Sequence, residues 1–173
     1  MPRLSRLIIA ACIVVAPATA IAADQFDMSA PVASSSFDWN GFYAGVYGVT
    51  QSSSLGGAQA GIGVNLGAEA RFEFVLVGAE VAVHFLDGGA GNGAYAQVLG
   101  RAGVVATDNL VLYGAGGLGL DLGAAGGTNT LLGAGVELAL TETMSVRGQY
   151  VHGFDMVGTN PSDQVSIGAN FHF

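Results

Sequence analysis

Residues 133–152 read GAGVELALTETMSVRGQYVH. Before the TET triplet, Leu132, Ala134, Val136, Leu138 and Leu140 share one parity, and Gly133, Gly135, Glu137 and Ala139 share the other. After it, Met144, Val146, Gly148 and Tyr150 alternate with Ser145, Arg147, Gln149 and Val151. A period of two is the strand period, and two such runs around a three-residue turn make a hairpin. Centring the turn on Glu142 sets Glu137 against Arg147, Leu138 against Val146, and Val136 against Gly148. Charge then meets opposite charge on one face, and apolar residues meet apolar residues or glycine on the other. Such pairs stabilise a water-facing sheet by roughly 0.2–1 kcal/mol each. In an enclosed interior, stranding one of the two charges costs several times that.

The same period extends in both directions. Ile62, Val64 and Leu66 alternate with Gly61, Gly63, Asn65, Gly67 and Glu69. Val75, Val77, Ala79, Val81, Val83 and Phe85 oppose Phe74, Leu76, Gly78, Glu80, Ala82 and His84. Residues 96–105 and 110–121 repeat the pattern, with GFYAGVYGVT (41–50) and QVSIGANFHF (164–173) at the ends, so eight strands are predicted. Ala70–Arg71, TDN (107–109) and TET (141–143) read as tight turns. SSSLGG (52–57), LDGGAGNGAY (86–95), GAAGGTN (123–129) and residues 152–163 read as longer loops. Short turns on one side and longer loops on the other describe an up-and-down antiparallel meander, the layout of outer-membrane barrels.

Composition decides which face meets solvent. The chain of 173 residues is 51% hydrophobic and only 10% charged, far below the roughly 25% of a soluble domain. Its cations are five arginines, and it has no lysine. The non-apolar face is built of Gly, Ala, Asn, Gln and Tyr with a few charges. That is too sparsely charged for a soluble exterior and suits an enclosed interior. The apolar face then meets hydrocarbon, which only a helix or a closed barrel crosses with its backbone satisfied. The expected fold is an all-β, eight-stranded antiparallel up-and-down transmembrane β-barrel, its last strand closing on its first.

MPRLSRLIIAACIVVAPATAIAAD has the form of a secretory signal peptide: Arg3 and Arg6, an apolar stretch, then small residues that fit cleavage after Ala22. The apolar run is short for a spanning anchor. Cys12 lies in this leader, so the mature chain has no thiol chemistry. Removing Arg3 and Arg6 leaves three arginines against thirteen acids, a charge of −10. A basic footprint for nucleic acid is absent. The domain reading is 1–22 leader, 23–38 flexible lead-in, 39–173 barrel.

An eight-stranded barrel has an interior that side chains fill. The inward parity carries Tyr43, Tyr47, Glu69, Glu80, Arg101, Tyr113, Asp121, Glu137 and Arg147, interleaved with glycines. These are expected to form a polar plug of ion pairs, with a narrow water or ion path as the alternative. Phe42, Phe171 and Phe173 at the turn side, and Phe85, Tyr150 and Phe154 at the loop side, are the candidate membrane girdle. His84 and His172 fall at opposite rims, and His152 lacks an adjacent serine, so neither a triad nor a two-histidine metal site is expected. GAGGLGL sits inside a strand pattern, whereas a dinucleotide loop opens a helix. Asp87, Asp121, Asp155 and Asp163 lie in or beside the loops. They would bind divalent cations between lipopolysaccharide headgroups or simply be solvated.

WNGFYAGVYG (39–48), FVLVGAEVAVHF (74–85), VLYGAGGLGL (111–120), GAGVELALTETMSVRGQYVH and IGANFHF (167–173) together resemble the small outer-membrane β-barrels (porin-family, OmpA-like) of Gram-negative bacteria. The resemblance implies outer-membrane localisation, with lipid and lipopolysaccharide as surroundings. It also implies that the assembly machinery reads the terminal strand through Phe171 and Phe173. The short loops and absent lysine depart from that pattern. The sequence is therefore read as a monomeric, structural, non-catalytic barrel without cofactor or metal. The alternatives are a narrow pore for small solutes, a lipid-modifying enzyme or an adhesin.

Overall fold

A computed structural model describes residues 37–53, 57–89, 93–123, 126–157 and 161–173. The leader and residues 23–36 of the lead-in lie outside the described residues. Eight strands follow in order: β1 Gly41–Ser53, β2 Gly57–Phe72, β3 Val75–Gly88, β4 Gly93–Thr107, β5 Leu110–Asp121, β6 Gly127–Ala139, β7 Met144–Val157 and β8 Ser162–His172. Each pairs antiparallel with its sequence neighbours, and β8 pairs with β1, closing the barrel. The central hairpin has the register read from the sequence: Glu137 opposite Arg147, Leu138 opposite Val146, Val136 opposite Gly148. At the seam, Phe42 and Phe173 exchange backbone hydrogen bonds of 3.2 and 2.9 Å.

The two faces separate as the alternation requires. Ile62, Val64 and Leu66 are 75%, 58% and 51% exposed on the outside. Between them, Gly63, Asn65 and Gly67 are buried in the lumen. An apolar surface this continuous belongs against hydrocarbon, and closure leaves no free sheet edge. The candidate girdle residues Phe42, Phe85, Tyr150, Phe154, Phe171 and Phe173 all lie on this outer surface.

The structure differs from the sequence reading at several boundaries. β2 runs through Ala70 and Arg71 to Phe72, and the turn is Glu73–Phe74. Glu73 adopts φ +56°, and its carbonyl accepts from Arg71 Nε at 2.7 Å. No glycine or asparagine marks this turn, so it is silent to a turn rule based on those residues. Phe74 accordingly leaves the lumen parity and, with Phe72, stands exposed at the turn side. Most of residues 152–163 is strand, since β7 extends to Val157 and β8 starts at Ser162. Finally, the lead-in is not loose at its end. Phe37 is buried inside the turn-side mouth with Trp39, and Asp38 caps the approach to β1 by accepting from Asn40 N and Nδ2 at 2.9 and 2.8 Å. The Asn40 backbone N–H, and then its side chain, hold the Asp38 carboxyl below the usual aspartate range.

Candidate functional site

The turn-side half of the lumen is crossed by a buried network to which all eight strands contribute. Arg101 of β4 sits at its centre. Nη1 lies 2.7 Å from Glu69 of β2, and Nη2 lies 2.7 Å from Glu137 of β6. Nη1 also donates to the Tyr43 hydroxyl of β1 at 2.7 Å. The guanidinium carbon stands 3.9 Å from the ring centre of Tyr113 on β5. Arg147 of β7 pairs with both oxygens of Glu80 on β3. Tyr43 donates to the same carboxylate at 2.7 Å, and Asn65 at 3.3 Å. Glu137 Oε1 accepts from Ser145 Oγ at 2.6 Å and from Asn170 Nδ2 of β8 at 2.8 Å. Tyr113 donates to Gln149 at 2.9 Å. Every charged member is at most 6% exposed, so each charge depends on its partners rather than on water.

Glycine makes this packing possible. Tyr43 is directly cross-strand from Gly67, Tyr47 from Gly63, and Tyr113 from Gly135. A Cβ on any of these three glycines would overlap the facing ring. Each tyrosine thus lies flat over a neighbour without a side chain and carries its hydroxyl toward the axis.

The two ends are closed differently. At the turn side, Phe37 and Trp39 pack tilted at 4.5 Å and meet His172 edge-on at 4.8 and 5.9 Å. They form one apolar cluster with Leu76, Val111, Tyr113, Ala115 and Ala139. Toward the loop side, His84 Nδ1 is 3.0 Å from the Tyr47 hydroxyl, and its ring stacks on Tyr95 at 5.3 Å. Above them Gln164 donates to Gln51 at 3.0 Å. His84 and His172 thus belong to opposite ends of the lumen.

Asp121 does not join the network, contrary to the sequence reading. Its parity is inward, but it is the last residue of β5 and is exposed at the rim. Its Oδ1 accepts from the Gly123 backbone N–H at 2.8 Å. The other eight proposed lumen residues are buried within the barrel. Seven of them are tied into the central network, and Tyr47 belongs to the loop half.

Sequence reasoning missed several participants. Asn65, Gln149 and Asn170 share the inward parity and could have been added on that signal. Phe37 stands in a stretch without periodicity, and no pattern marked it. Ser145 was placed on the inner face, but its partner His172, 3.0 Å away, needs the β7–β8 pairing to be seen. This is not a nucleophile geometry. In a triad the histidine stands between serine and carboxylate, whereas here the fully buried Ser145 donates to Glu137 itself. On the outer surface, His152 Nδ1 and the Tyr150 hydroxyl both donate to Asp163 Oδ1, at 2.8 and 2.5 Å. Among the described residues no group of three or more His, Cys, Asp or Glu is placed to hold a metal ion.

No family model matches the chain, and no curated protein matches it. Solved structures do. Ail, the attachment invasion locus protein of Yersinia pestis, aligns with a TM-score of 0.57 at 14% identity, over 76% of this chain and 96% of that one. The fold is that of the eight-stranded outer-membrane barrels. Neisserial surface protein A aligns with a TM-score of 0.53 at 19% identity, over 76% and 97% of the two chains. The N-terminal β-barrel domain of Pseudomonas aeruginosa OprF does so with 0.53 at 12%, over 76% and 99%. At these identities the likeness is one of fold, and the chemistry of the lumen has to be argued from this chain's own residues.

Proposed function

We propose that the protein is a structural component of a Gram-negative outer membrane: a monomeric, OmpA-like barrel, closed to solutes and without catalytic activity. It anchors short loops at the cell surface and contributes to envelope integrity. One observation carries this reading. Arg101 and Arg147 tie Glu69, Glu80 and Glu137 together across the lumen, and tyrosines and asparagines join the remaining strands to them. A conducting path would need these groups to be lined along a channel, but they meet one another across it. The aromatic pair at the turn side supports the same reading, because it occupies the mouth with apolar bulk. The leader fits export, and the outward aromatics at both ends fit a girdle. Phe171 and Phe173, at the end of the closing strand, are proposed as the assembly signal.

The test is a flux assay on the purified mature barrel in lipid vesicles, its folding verified by altered gel migration without boiling. The vesicles should swell no faster in small sugars or amino acids than protein-free vesicles. Solute-dependent swelling would overturn the closed-lumen reading in favour of a narrow pore. Comparison of lipid A from cells with and without the gene tests the non-catalytic part, with no difference expected.

A further inference from the structure

The geometry points to a glycolipid-binding site on the outer surface at the seam, with His152 and Asp163 holding the sugar and two glycine-floored grooves holding the acyl chains. This inference rests on the outer-membrane reading above. His152 of β7, Asp163 of β8 and Ser52 of β1 are successive cross-strand partners in one row. All three are on the lipid-facing parity near the loop-side rim. Asp163 is 53% exposed and His152 32%. Polar side chains are uncommon on this face, and here they are gathered across three adjacent strands.

The hydrogen bonds fix what the cluster offers. A carboxylate only accepts, so both Tyr150 OH and His152 Nδ1–H donate to Asp163 Oδ1. In the neutral ring that assigns the lone pair to His152 Nε2. Neither the second oxygen of Asp163 nor that Nε2 takes part in these bonds, and both are acceptors. The chain has no lysine, and its arginines beyond the leader are Arg71 beside the β2–β3 turn and Arg101 and Arg147 in the lumen. A phosphate, itself an acceptor with negative charge, finds no lysine or arginine at this rim. A headgroup rich in O–H donors fits instead. Tyr150 and Phe154 flank the acceptors, Phe154 packing edge-on to the His152 ring at 4.5 Å. Acceptors bordered by aromatic faces match the hydroxyls and apolar faces of a sugar ring.

Below the cluster the surface is shaped for chains. Ile167 of β8, 72% exposed, stands between Gly48 of β1 and Gly148 of β7, its two cross-strand partners. A Cβ on either glycine would meet nothing closer than 4.0 Å. The ridge at Ile167 is therefore bordered by two shallow grooves. The depression at Gly148 lies below Tyr150 and His152 on β7, and the one at Gly48 lies below Thr50 and Ser52 on β1. Two chains beside one ridge, under one headgroup cluster, suit a diacyl glycolipid.

The probe is glucosyl-diacylglycerol, which carries a sugar and no phosphate, compared with phosphatidylglycerol and phosphatidylethanolamine of the same acyl chains. Retention on the folded full mature barrel is read by native mass spectrometry. One glucosyl-diacylglycerol should be retained in preference to both phospholipids. Asp163→Ala should weaken that retention about tenfold, as expected for one or two lost hydrogen bonds. Gly148→Leu should do the same by filling the groove while leaving the polar cluster in place. Gly100→Leu, on the outer face of β4 below Val98 and Ala96, should leave it unchanged. Equal or stronger retention of either phospholipid overturns the proposal, as does undiminished retention by both Asp163→Ala and Gly148→Leu. If the wild-type chain shows no heat-modifiable folded form in micelles, the barrel reading fails and this inference with it. A folded barrel without sugar preference defeats the inference alone.

Discussion

Replacing Arg101 by methionine removes the cation between Glu69 and Glu137 while keeping much of the side chain's volume. Glu137 retains its bonds from Ser145 and Asn170. Glu69 loses the guanidinium 2.7 Å away and is left as a buried carboxylate in the lumen wall. Breaking a buried pair by deleting one partner costs about 3–5 kcal/mol, because the remaining charge is uncompensated. Arg101→Met should therefore destabilise the barrel by that amount. Adding Glu69→Gln removes the stranded charge and should recover a large part of the loss, a coupling of about 2–3 kcal/mol. The measurement is urea unfolding of the folded barrel in lipid vesicles, followed by gel migration and by the emission of Trp39, the chain's single tryptophan. A loss below about 1 kcal/mol for Arg101→Met, or a double variant no more stable than the single, would refute the claim that the buried charges hold one another in the lumen.

Other outcomes follow from the same structure. Gly67→Ala places a methyl against the Tyr43 ring and should cost about 1–3 kcal/mol. Gly116→Ala, on the outer face of β5, places its methyl at ordinary van der Waals distance from the Leu131 carbonyl (3.6 Å) and the Leu132 side chain (3.8 Å) and should stay within about 0.5 kcal/mol of wild type. Asp121→Asn should likewise leave unfolding unchanged, because Asp121 is exposed at the rim and its carboxylate accepts from the Gly123 backbone N–H of the adjoining turn. Trp39, 1% exposed, should emit at short wavelength and resist acrylamide when folded, and Trp39→Ala should cost about 3–5 kcal/mol by gel-monitored unfolding. Asp38 is held below its ordinary pKa by Asn40, so its stabilisation is present above the ordinary aspartate pKa and lost as pH falls through the depressed value. The difference in urea midpoint between wild type and Asp38→Ala should be present at neutral pH and vanish in strong acid.

The fold was legible because one strong constraint acts on every residue of it. Hydrocarbon on one face and an enclosed lumen on the other impose a period of two, and residues 133–152 display both faces and their register at once. Turns were legible where they carried Gly, Asn or Thr, and illegible at Glu73–Phe74, where the positive φ falls on a glutamate. Loop lengths were overestimated because glycine and serine were read as loop when, near His152 and Ser162, the ladder continues through them. The lumen charges were legible from parity alone. Asp121 shows the limit of parity, which gives a direction but not a height: at the last residue of β5, an inward acid becomes a rim acid. Phe37 and the His152–Asp163 pair were not legible, since each depends on a spatial neighbour that no local pattern reveals.

The most direct test of the central claim is thiol reactivity on β2, since the mature chain as read has no cysteine of its own. Val64→Cys, Asn65→Cys and Leu66→Cys are exposed, folded in vesicles, to a bilayer-soluble maleimide and to a charged, impermeant one. Cysteines at 64 and 66 should react with the bilayer-soluble reagent only, and the cysteine at 65 with neither until the barrel is unfolded. Reaction of positions 64 and 66 with the impermeant reagent, or of position 65 with the bilayer-soluble one in the folded state, would contradict the assignment of the apolar face to lipid and the polar face to the lumen.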